Sequence, residues 1–459
     1  MLKKYIGDKP FYINLFKLML PIMIQNGITN FVNMLDNIMI GAVGTAQMTG
    51  VAITNQLIFV FNLCIFGAVS GAGIFGAQYF GKKDYKGVHY TFRFKILFAL
   101  ILTLLSIGLF VFYGKELLLL YMQGEQGVTN AEETLKYASN YLNIMLIGLI
   151  PYAIVQSYSS TLRESANPNL AMSAGVSAVI INLVFNYILI FGKFGTPRLG
   201  VTGAAIATVI SRFAELAIIV FFTHISKKYS FIRGVYRSLY IPKKLMWQFF
   251  IKGLPLMINE TLWAAGLAVI NQCYSLRGLD AVAASNISQT FWNVFAIAHM
   301  AVGAAIAIII GQLLGANELD KAKTESDKLI FSSFIIAIVF SIIYFFLAEI
   351  IPYAYNTEDE IRNLSTILMQ ITAVAMPFDA LAHSSYFTMR SGGKMLITFI
   401  FDCGFMWIVN VLTAFILSRY TTISFVFIFA IIHSISIIKG ICGVLVVKKG
   451  FWVKNIISE

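Results

Sequence analysis

Twelve apolar stretches, each about the length needed to cross a bilayer, limit what this chain can fold into. They lie near residues 13–39, 51–77, 92–113, 138–161, 169–191, 201–224, 246–273, 281–313, 329–351, 364–388, 395–417 and 423–447. A span of roughly 20 apolar residues is read as a transmembrane helix. Because backbone polar groups in lipid must be satisfied within the segment, the pattern predicts an all-α polytopic membrane protein with twelve transmembrane helices.

The charge distribution agrees with this interpretation. Only 12% of the 459 residues are charged, whereas about a quarter would be typical of a soluble domain. Lys and Arg are concentrated in alternate loops, which predicts a multi-pass protein of the cell inner (plasma) membrane with both termini cytoplasmic. The net charge of +12 is explained by those loops and the lipid surface they face. No basic run interleaved with aromatics suggests a nucleic-acid partner.

The sequence contains an internal repeat. "LPIMIQNG" at Leu20 matches "LPLMINET" at Leu254, and "GAQYFGKKD" matches "IGQLLGANE" further along, with a constant offset of 234 residues between Pro21 and Pro255. Six spans is an even number, so the two halves enter the membrane in the same direction. The repeat predicts two six-helix lobes, 1–230 and 246–459, joined by a cytoplasmic linker at 231–245. They would be related by a pseudo-two-fold axis along the membrane normal.

An acidic residue, Asp36, lies in the first predicted span. A group of polar residues shares one face of that helix, within an arc of roughly 140°: Gln25, Asn26, Thr29, Asn30, Asn33, Asp36 and Asn37. A polar stripe at membrane depth faces protein or water. Asp36 is interpreted as an ion- or proton-coupling carboxylate, with a structural, paired acid as the alternative. Asn182 and Asn186 share a face of the fifth span and either hydrogen-bond Asp36 or pack between helices.

Further acids lie in the second half. Glu260 follows Pro255, and Asp379 follows Pro377, with His383 one turn further on the same face. A proline loosens the helix backbone, and free carbonyls beside a carboxylate suit a cation that prefers oxygen ligands.

Asp402 is a further candidate, although it lies near the inner end of its helix. Asp36, Glu260 and Asp379 are therefore the expected cation-coupling residues and the expected ligands if the ion is Na⁺. Asn33, Asn182, Asn186, His383 and Asp402 are expected to support them.

Flat, apolar side chains suggest where a drug would bind. Met39, Trp263, Phe291 and Trp292 are candidates for lining a cavity suited to apolar cations. No ATP-binding signature is present, so pumping would depend on an ion gradient. No resident cofactor is expected, and Na⁺ or H⁺ would be the coupling ion.

Together these motifs resemble the multidrug and toxic compound extrusion (MATE) family, in its NorM-like branch. The matching pieces are "LPIMIQN…MLDNIMIG", "GAQYFGKKD", "LRESANP", "LPLMINETLW" and "IIGQLLGANELDKA", spread over essentially the whole chain. The resemblance implies two lobes around a V-shaped cleft, and the exchange of cationic drugs for Na⁺ or H⁺. Asp36 falls on the family's first-helix coupling acid, while Glu260 and Asp379 match the second-lobe acids of the NorM-like branch. One departure is that asparagines stand where some proton-coupled members have an acid on the fifth helix.

The expected function is therefore secondary active multidrug efflux by alternating access, carried out by a monomer and not by an enzyme. A lipid-linked oligosaccharide flippase of the same superfamily is the first alternative. It is disfavoured because the ionisable residues in the predicted spans are mostly acidic, whereas a pyrophosphate substrate would require cations. A polytopic membrane enzyme is the second alternative, and no clustered catalytic motif supports it.

Overall fold

Twelve long helices run through the residues that the computed structural model describes, 4–124, 131–355 and 357–458. They are α1 (Lys9–Gly41), α2 (Thr45–Gly81), α3 (Tyr85–Gly124), α4 (Ala131–Glu164), α5 (Asn169–Phe191), α6 (Val201–Ile225), α7 (Lys243–Ser275), α8 (Leu279–Gly315), α9 (Leu319–Leu347), α10 (Asp359–Ser391), α11 (Met395–Tyr420) and α12 (Phe425–Lys448). No strand occurs in these ranges. The predicted all-α fold with twelve long helices is confirmed.

Eleven of the described helices are long and apolar enough to cross a membrane. The remaining one is α1, which carries the polar stripe around Asp36. Several helices are longer than the apolar runs that predicted them. For example, α3 has 40 residues, about twice the length needed to span a bilayer. The helix therefore extends beyond the apolar run at 92–113 on both sides, and charged residues lie in these extensions.

The described chain divides into two compact units. The first unit comprises Ile24–Gly76 and Tyr85–Met257, and the second comprises Met1–Met23, Ala77–Asp84 and Ile258–Glu459. Both α1 and α7 are thus shared between units, and each changes unit two residues after its internal proline, Pro21 or Pro255. The lobe boundaries inferred from sequence at 1–230, 231–245 and 246–459 stay a prediction.

Within each unit, one proline-containing helix lies at the centre of the packing. In the first unit α4 packs on α3 and α6, and in the second unit α10 packs on α8, α9 and α12. The apolar core of the first unit includes Ile65, Leu142 and Leu149, all fully buried. The core of the second unit lies in two clusters, around Leu368 and Ile428 and around Tyr344 and Met376.

The middle of α11 is wider than an α-helix. Residues Ile400–Val411 form a π-helical segment between two α-helical ends. Such segments are rare and occur frequently at functional sites. This segment carries Asp402.

Two repeat-related turns pack against each other in the second unit. A Cβ on Gly81 would collide with the backbone of Gln312, and a Cβ on Gly315 would collide with the backbone of Gln78. The end of α2 and the end of α8 therefore cross with their backbones in contact, which only glycine permits at these two positions.

The residues after α12 form a packed C-terminal segment, Gly450–Ser458. The Trp452 side chain is 1% exposed. The buried Gln78 amide donates to the carbonyls of Ser391 and Lys454 at 3.1 and 3.2 Å, and its oxygen accepts from the Ile456 amide at 2.9 Å. One side chain of α2 thus holds the end of α10 and the C-terminal segment together.

Candidate functional site

The first unit contains a polar cluster around Asp36. Asn186 donates from Nδ2 to Asp36 Oδ1 at 2.6 Å. The Asn182 amide, turned so that its nitrogen faces the carboxylate, donates to Asp36 Oδ2 at 2.9 Å, while its oxygen accepts from Thr208 Oγ1 at 3.2 Å. Of the two roles that the sequence left open for the asparagines, the contact with Asp36 is present.

Neighbouring helices complete this cluster with neutral polar groups. The Tyr141 hydroxyl on α4 lies close to Thr208 on α6 and Asn55 on α2. Neither Thr208 nor Tyr141 was expected from the sequence, because a single polar residue in an apolar run carries no signal of its own. The cluster so defined (Asp36, Asn55, Tyr141, Asn182, Asn186, Thr208) is called the first-unit cluster below.

One oxygen of this cluster has no partner. Asn186 Oδ1 is buried and accepts no hydrogen bond from the described residues. A buried acceptor without a donor is costly, and a cation would satisfy it. An asparagine amide can present nitrogen to a carboxylate or, after a half-turn, oxygen to a metal ion. The donor set is therefore suited to a hard cation that prefers oxygen.

Asn33 and Met39 lie on the same helix as Asp36 but outside its hydrogen-bond network as described. Asn33 is exposed on α1. Met39 lines an apolar groove of about 450 Å³ together with residues of α5 and the loop after it: Leu183, Val184, Tyr187, Ile188, Phe191 and Phe194. The groove belongs entirely to the first unit.

The second unit contains a longer polar cluster. Asp402 Oδ2 accepts from Asn259 Nδ2 at 2.9 Å, and Asp402 Oδ1 accepts from Lys439 Nζ at 2.7 Å. Tyr386 donates to Glu260 Oε1 at 3.3 Å. The predicted candidates Glu260 and Asp402 are thus brought together through α7, α10 and α11.

Four polar residues on α10 recur at helical spacing and follow one face. They are Asp379, His383, Tyr386 and Arg390. The His383 ring lies against the rings of Tyr386 and Phe387 and, 5.9 Å away between centroids, that of His299 on α8. His383 is therefore placed in an aromatic cluster.

Asp379 has different partners from Glu260. It lies close to Ser436 and interacts electrostatically with Lys439, both on α12. Glu260 instead interacts with Arg390. Glu260 and Asp379 therefore have different surroundings within one polar cluster. This second-unit cluster is defined as Asn259, Glu260, His299, Asp379, His383, Tyr386, Arg390, Asp402 and Lys439.

The aromatic candidates in this unit are packed in its core. Trp263 contacts the cluster around Leu368, and Trp292 and Phe291 contact the cluster around Tyr344. All three are partly buried. Their role in a drug cavity stays a prediction.

Two buried or half-buried lysines were missed or misjudged from the sequence. Lys439 lies inside α12, and it was overlooked because a single cation in a long apolar run resembles a boundary residue. Lys95 lies near the start of the third predicted span, and in α3 its side chain is fully buried, 2.5 Å from Glu164 Oε2. The helices thus contain buried or half-buried cations as well as acids. These two lysines are paired with acids.

Comparisons with known proteins agree with this architecture. The chain is 23% identical over 410 residues to the probable multidrug resistance protein NorM of Thermotoga maritima, covering 88% of this chain and 85% of that protein. It is 25% identical over 408 residues to the multidrug resistance protein NorM of Aliivibrio fischeri, covering 88% and 86%.

Solved structures share the fold. An outward-facing multidrug resistance MATE family transporter matches with a TM-score of 0.85 and 18% identity, covering 98% of each chain. A MOP superfamily transporter from Pyrococcus furiosus matches with a TM-score of 0.85 and 17% identity, covering 98% of this chain and 97% of that one. The predicted two-lobed, twelve-helix fold is confirmed by this likeness.

The sequence model of one protein family, MatE, matches this chain in two segments, residues 21–188 and 255–416. The two matches begin at the prolines that define the internal repeat, 234 residues apart. Together they cover well over half of the chain. The protein therefore belongs to the MatE family of multi-pass membrane transporters.

Proposed function

We propose that this transporter exports organic cations, including drugs, in exchange for a cation that binds at Asp36. The names of its relatives support drugs as the substrate class, since they are multidrug resistance proteins. The observation that carries the coupling step is the first-unit cluster, in which one carboxylate is surrounded by neutral amides and hydroxyls. An acid at membrane depth is costly and is typically retained for ion movement.

Na⁺ is the coupling ion that this donor set suits best. The first-unit cluster supplies one negative charge and several neutral oxygens, among them the unpartnered Asn186 Oδ1. A hard monovalent cation can bind such a set without a second carboxylate. A proton, the other candidate, would need only Asp36 and would leave the Asn186 oxygen unused.

Transport would proceed by alternating access. Ion and drug act on the equilibrium between two states only through their different affinities for those states. Na⁺ at Asp36 would stabilise one state, and an organic cation bound elsewhere would stabilise the other. The flippase alternative is not favoured, because the intramembrane lysines Lys95 and Lys439 are engaged by Glu164 and Asp402 and do not form a cationic pocket.

Efflux from proteoliposomes tests the role of Asp36. We expect Asp36→Asn to abolish gradient-driven efflux of a fluorescent organic cation, because the variant removes the charge that the ion neutralises. Asp280→Asn, which changes an exposed acid at the start of α8, is the matched control and should transport normally. Normal coupled efflux by Asp36→Asn would contradict the assignment.

The coupling ion is tested with the wild-type protein in the same vesicles. An imposed Na⁺ gradient at equal pH should drive efflux, and a pH gradient without Na⁺ should not. Driving by the pH gradient alone would assign the proton instead. The Asn186→Ala variant, which removes the amide oxygen, should raise the Na⁺ concentration needed for half-maximal efflux.

A further inference from the structure

Lys439 lies in an environment that would suit an organic cation. Its ammonium is 2.7 Å from Asp402 Oδ1 and 5.6 Å from the centroid of the Phe401 ring. A carboxylate beside an aromatic face is the combination that binds quaternary and aromatic ammonium groups. Lys439 and Asp402 are each 18% exposed, so neither is sealed within the core.

The lysine contacts one acid and acts electrostatically on a second. It is in contact with Asp402 on α11 and interacts electrostatically with Asp379 on α10. A lysine ammonium is a compact charge at the end of a flexible four-carbon chain, so it can leave one carboxylate without any movement of the backbone. The Lys439 ammonium can thus leave Asp402 and return to it.

The charges of the second-unit cluster add to a small negative value. Glu260, Asp379 and Asp402 supply three negative charges, while Arg390 interacts with Glu260 and Lys439 with the other two acids. With these five groups ionised and the histidines neutral, the net charge is −1. Such a cluster is matched to one positive charge from a ligand.

Resting on the proposed function, we propose that Lys439 is a tethered counter-ion, which organic cations displace from Asp402, and that it restricts the second-unit cluster to substrates with a single positive charge. Without the lysine the cluster would carry −2 and would favour dications. The relevant property is the ratio of affinities for two ligands that differ only in charge.

Ethidium and propidium provide that comparison, because they share one ring system and propidium carries an additional quaternary ammonium. Dissociation constants would be measured by fluorescence with the purified full-length protein. The wild type should prefer ethidium. Lys439→Gln should shift the ratio of the two constants toward propidium by about tenfold, from the Coulomb energy of one added charge within a protein of intermediate dielectric.

Three further variants separate charge from structure. Lys439→Arg keeps the charge and should keep the wild-type ratio. The double variant Asp402→Asn/Lys439→Gln returns the net charge to −1 and should also restore the wild-type ratio, even if Lys439→Gln alone folds poorly. Asp402→Asn alone brings the cluster to zero and should weaken propidium more than ethidium.

The outcomes are distinct. An unchanged ratio in Lys439→Gln, or an equal shift in Lys439→Arg, would overturn the tethered counter-ion while leaving organic-cation export intact. If Lys439→Gln does not fold, the test is the ratio of the ethidium and propidium dissociation constants in the other two variants. Equal ratios in Asp402→Asn and in the double variant would then overturn the tethered counter-ion. Failure of the wild type to bind or export either dye would contradict the proposed function, and the counter-ion role would fall with it.

Discussion

Glu164, at the end of α4, shows how a buried charge is accommodated in this protein. Its carboxylate accepts from Lys95 Nζ at 2.5 and 2.6 Å and also from the Ser160 hydroxyl. A Cβ on either Gly73 or Gly76 of α2 would collide with the carboxylate oxygens. The glycines of "GAGIFGAQ" therefore provide the space that this ion pair occupies.

Removing one partner of this pair should cost more than removing both. Lys95→Met leaves Glu164 buried without its cation, and we expect a loss of roughly 3 to 5 kcal/mol, because an uncompensated buried charge is strongly destabilising. The double variant Lys95→Met/Glu164→Met should recover much of that loss. Thermal unfolding in detergent measures all three proteins. A double variant less stable than Lys95→Met would contradict this account.

Individual residues also show the limit of sequence reasoning. Asp36 was recognised because six other polar side chains share its helix face, so the pattern was redundant. Lys439 had no such pattern, and its significance depends on Asp402 of another helix approaching to 2.7 Å. Pairing between distant residues is a property of tertiary packing, which a single sequence taken by itself does not reveal.

At the scale of elements, the positions of the helices were predictable from the sequence. Departures from α-helical geometry inside a helix were not. Apolar runs located every long helix, because the bilayer requires them. The π-helical segment Ile400–Val411 has no comparable sequence signal. Asp402 lies within these wider turns. Trp407 in the same segment donates a hydrogen bond from Nε1 to the Leu262 carbonyl of α7 at 3.0 Å.

The crossing of α2 and α8 gives a prediction for an element pair. Gly315→Ala places a methyl group against the Gln78 carbonyl, so the two helices must separate. We expect a loss of stability of about 1 to 3 kcal/mol, as for an overpacked core. Gly108→Ala on α3, where a Cβ would meet nothing within 4 Å, is the control and should be neutral or stabilising. Equal melting temperatures for both variants in detergent would refute the close crossing.

At the scale of the whole molecule, the internal repeat predicts the same order of helices in both halves. The polar residues inside those helices differ between the halves. The family matches begin at equivalent prolines, yet the residue equivalent to Asp36 is Ile270. In the structure Asp36 is surrounded by neutral amides, whereas Asp402 is held by a lysine. The repeat thus specifies helix order, and the polar clusters depend on residues that the halves do not share.

The segment Gly450–Ser458 gives a prediction at the scale of the whole molecule. Deleting residues 450–459 removes the partners of Gln78 and exposes the site of Trp452, so we expect a marked loss of thermal stability. Gln78→Ala should be destabilising in the full-length protein and add little in the truncated one, because both changes break the same hydrogen bonds. Deleting only 458–459 is the control, since Trp452, Lys454 and Ile456 remain. Full additivity of the two changes would contradict the coupling.

The contact between Gln78 and Ile456 joins residues separated by 378 positions. A ribosome synthesises Ile456 only after all of the helices α1 to α12. By then these helices have had time to enter the bilayer. The buried amide of Gln78 therefore meets these partners only after α1 to α12 have been synthesised, and contacts so distant in sequence form late. Closure of this contact is timed by the synthesis of residues 454–456, and a nascent chain that stops short of them leaves the Gln78 side chain at the end of α2 without these partners.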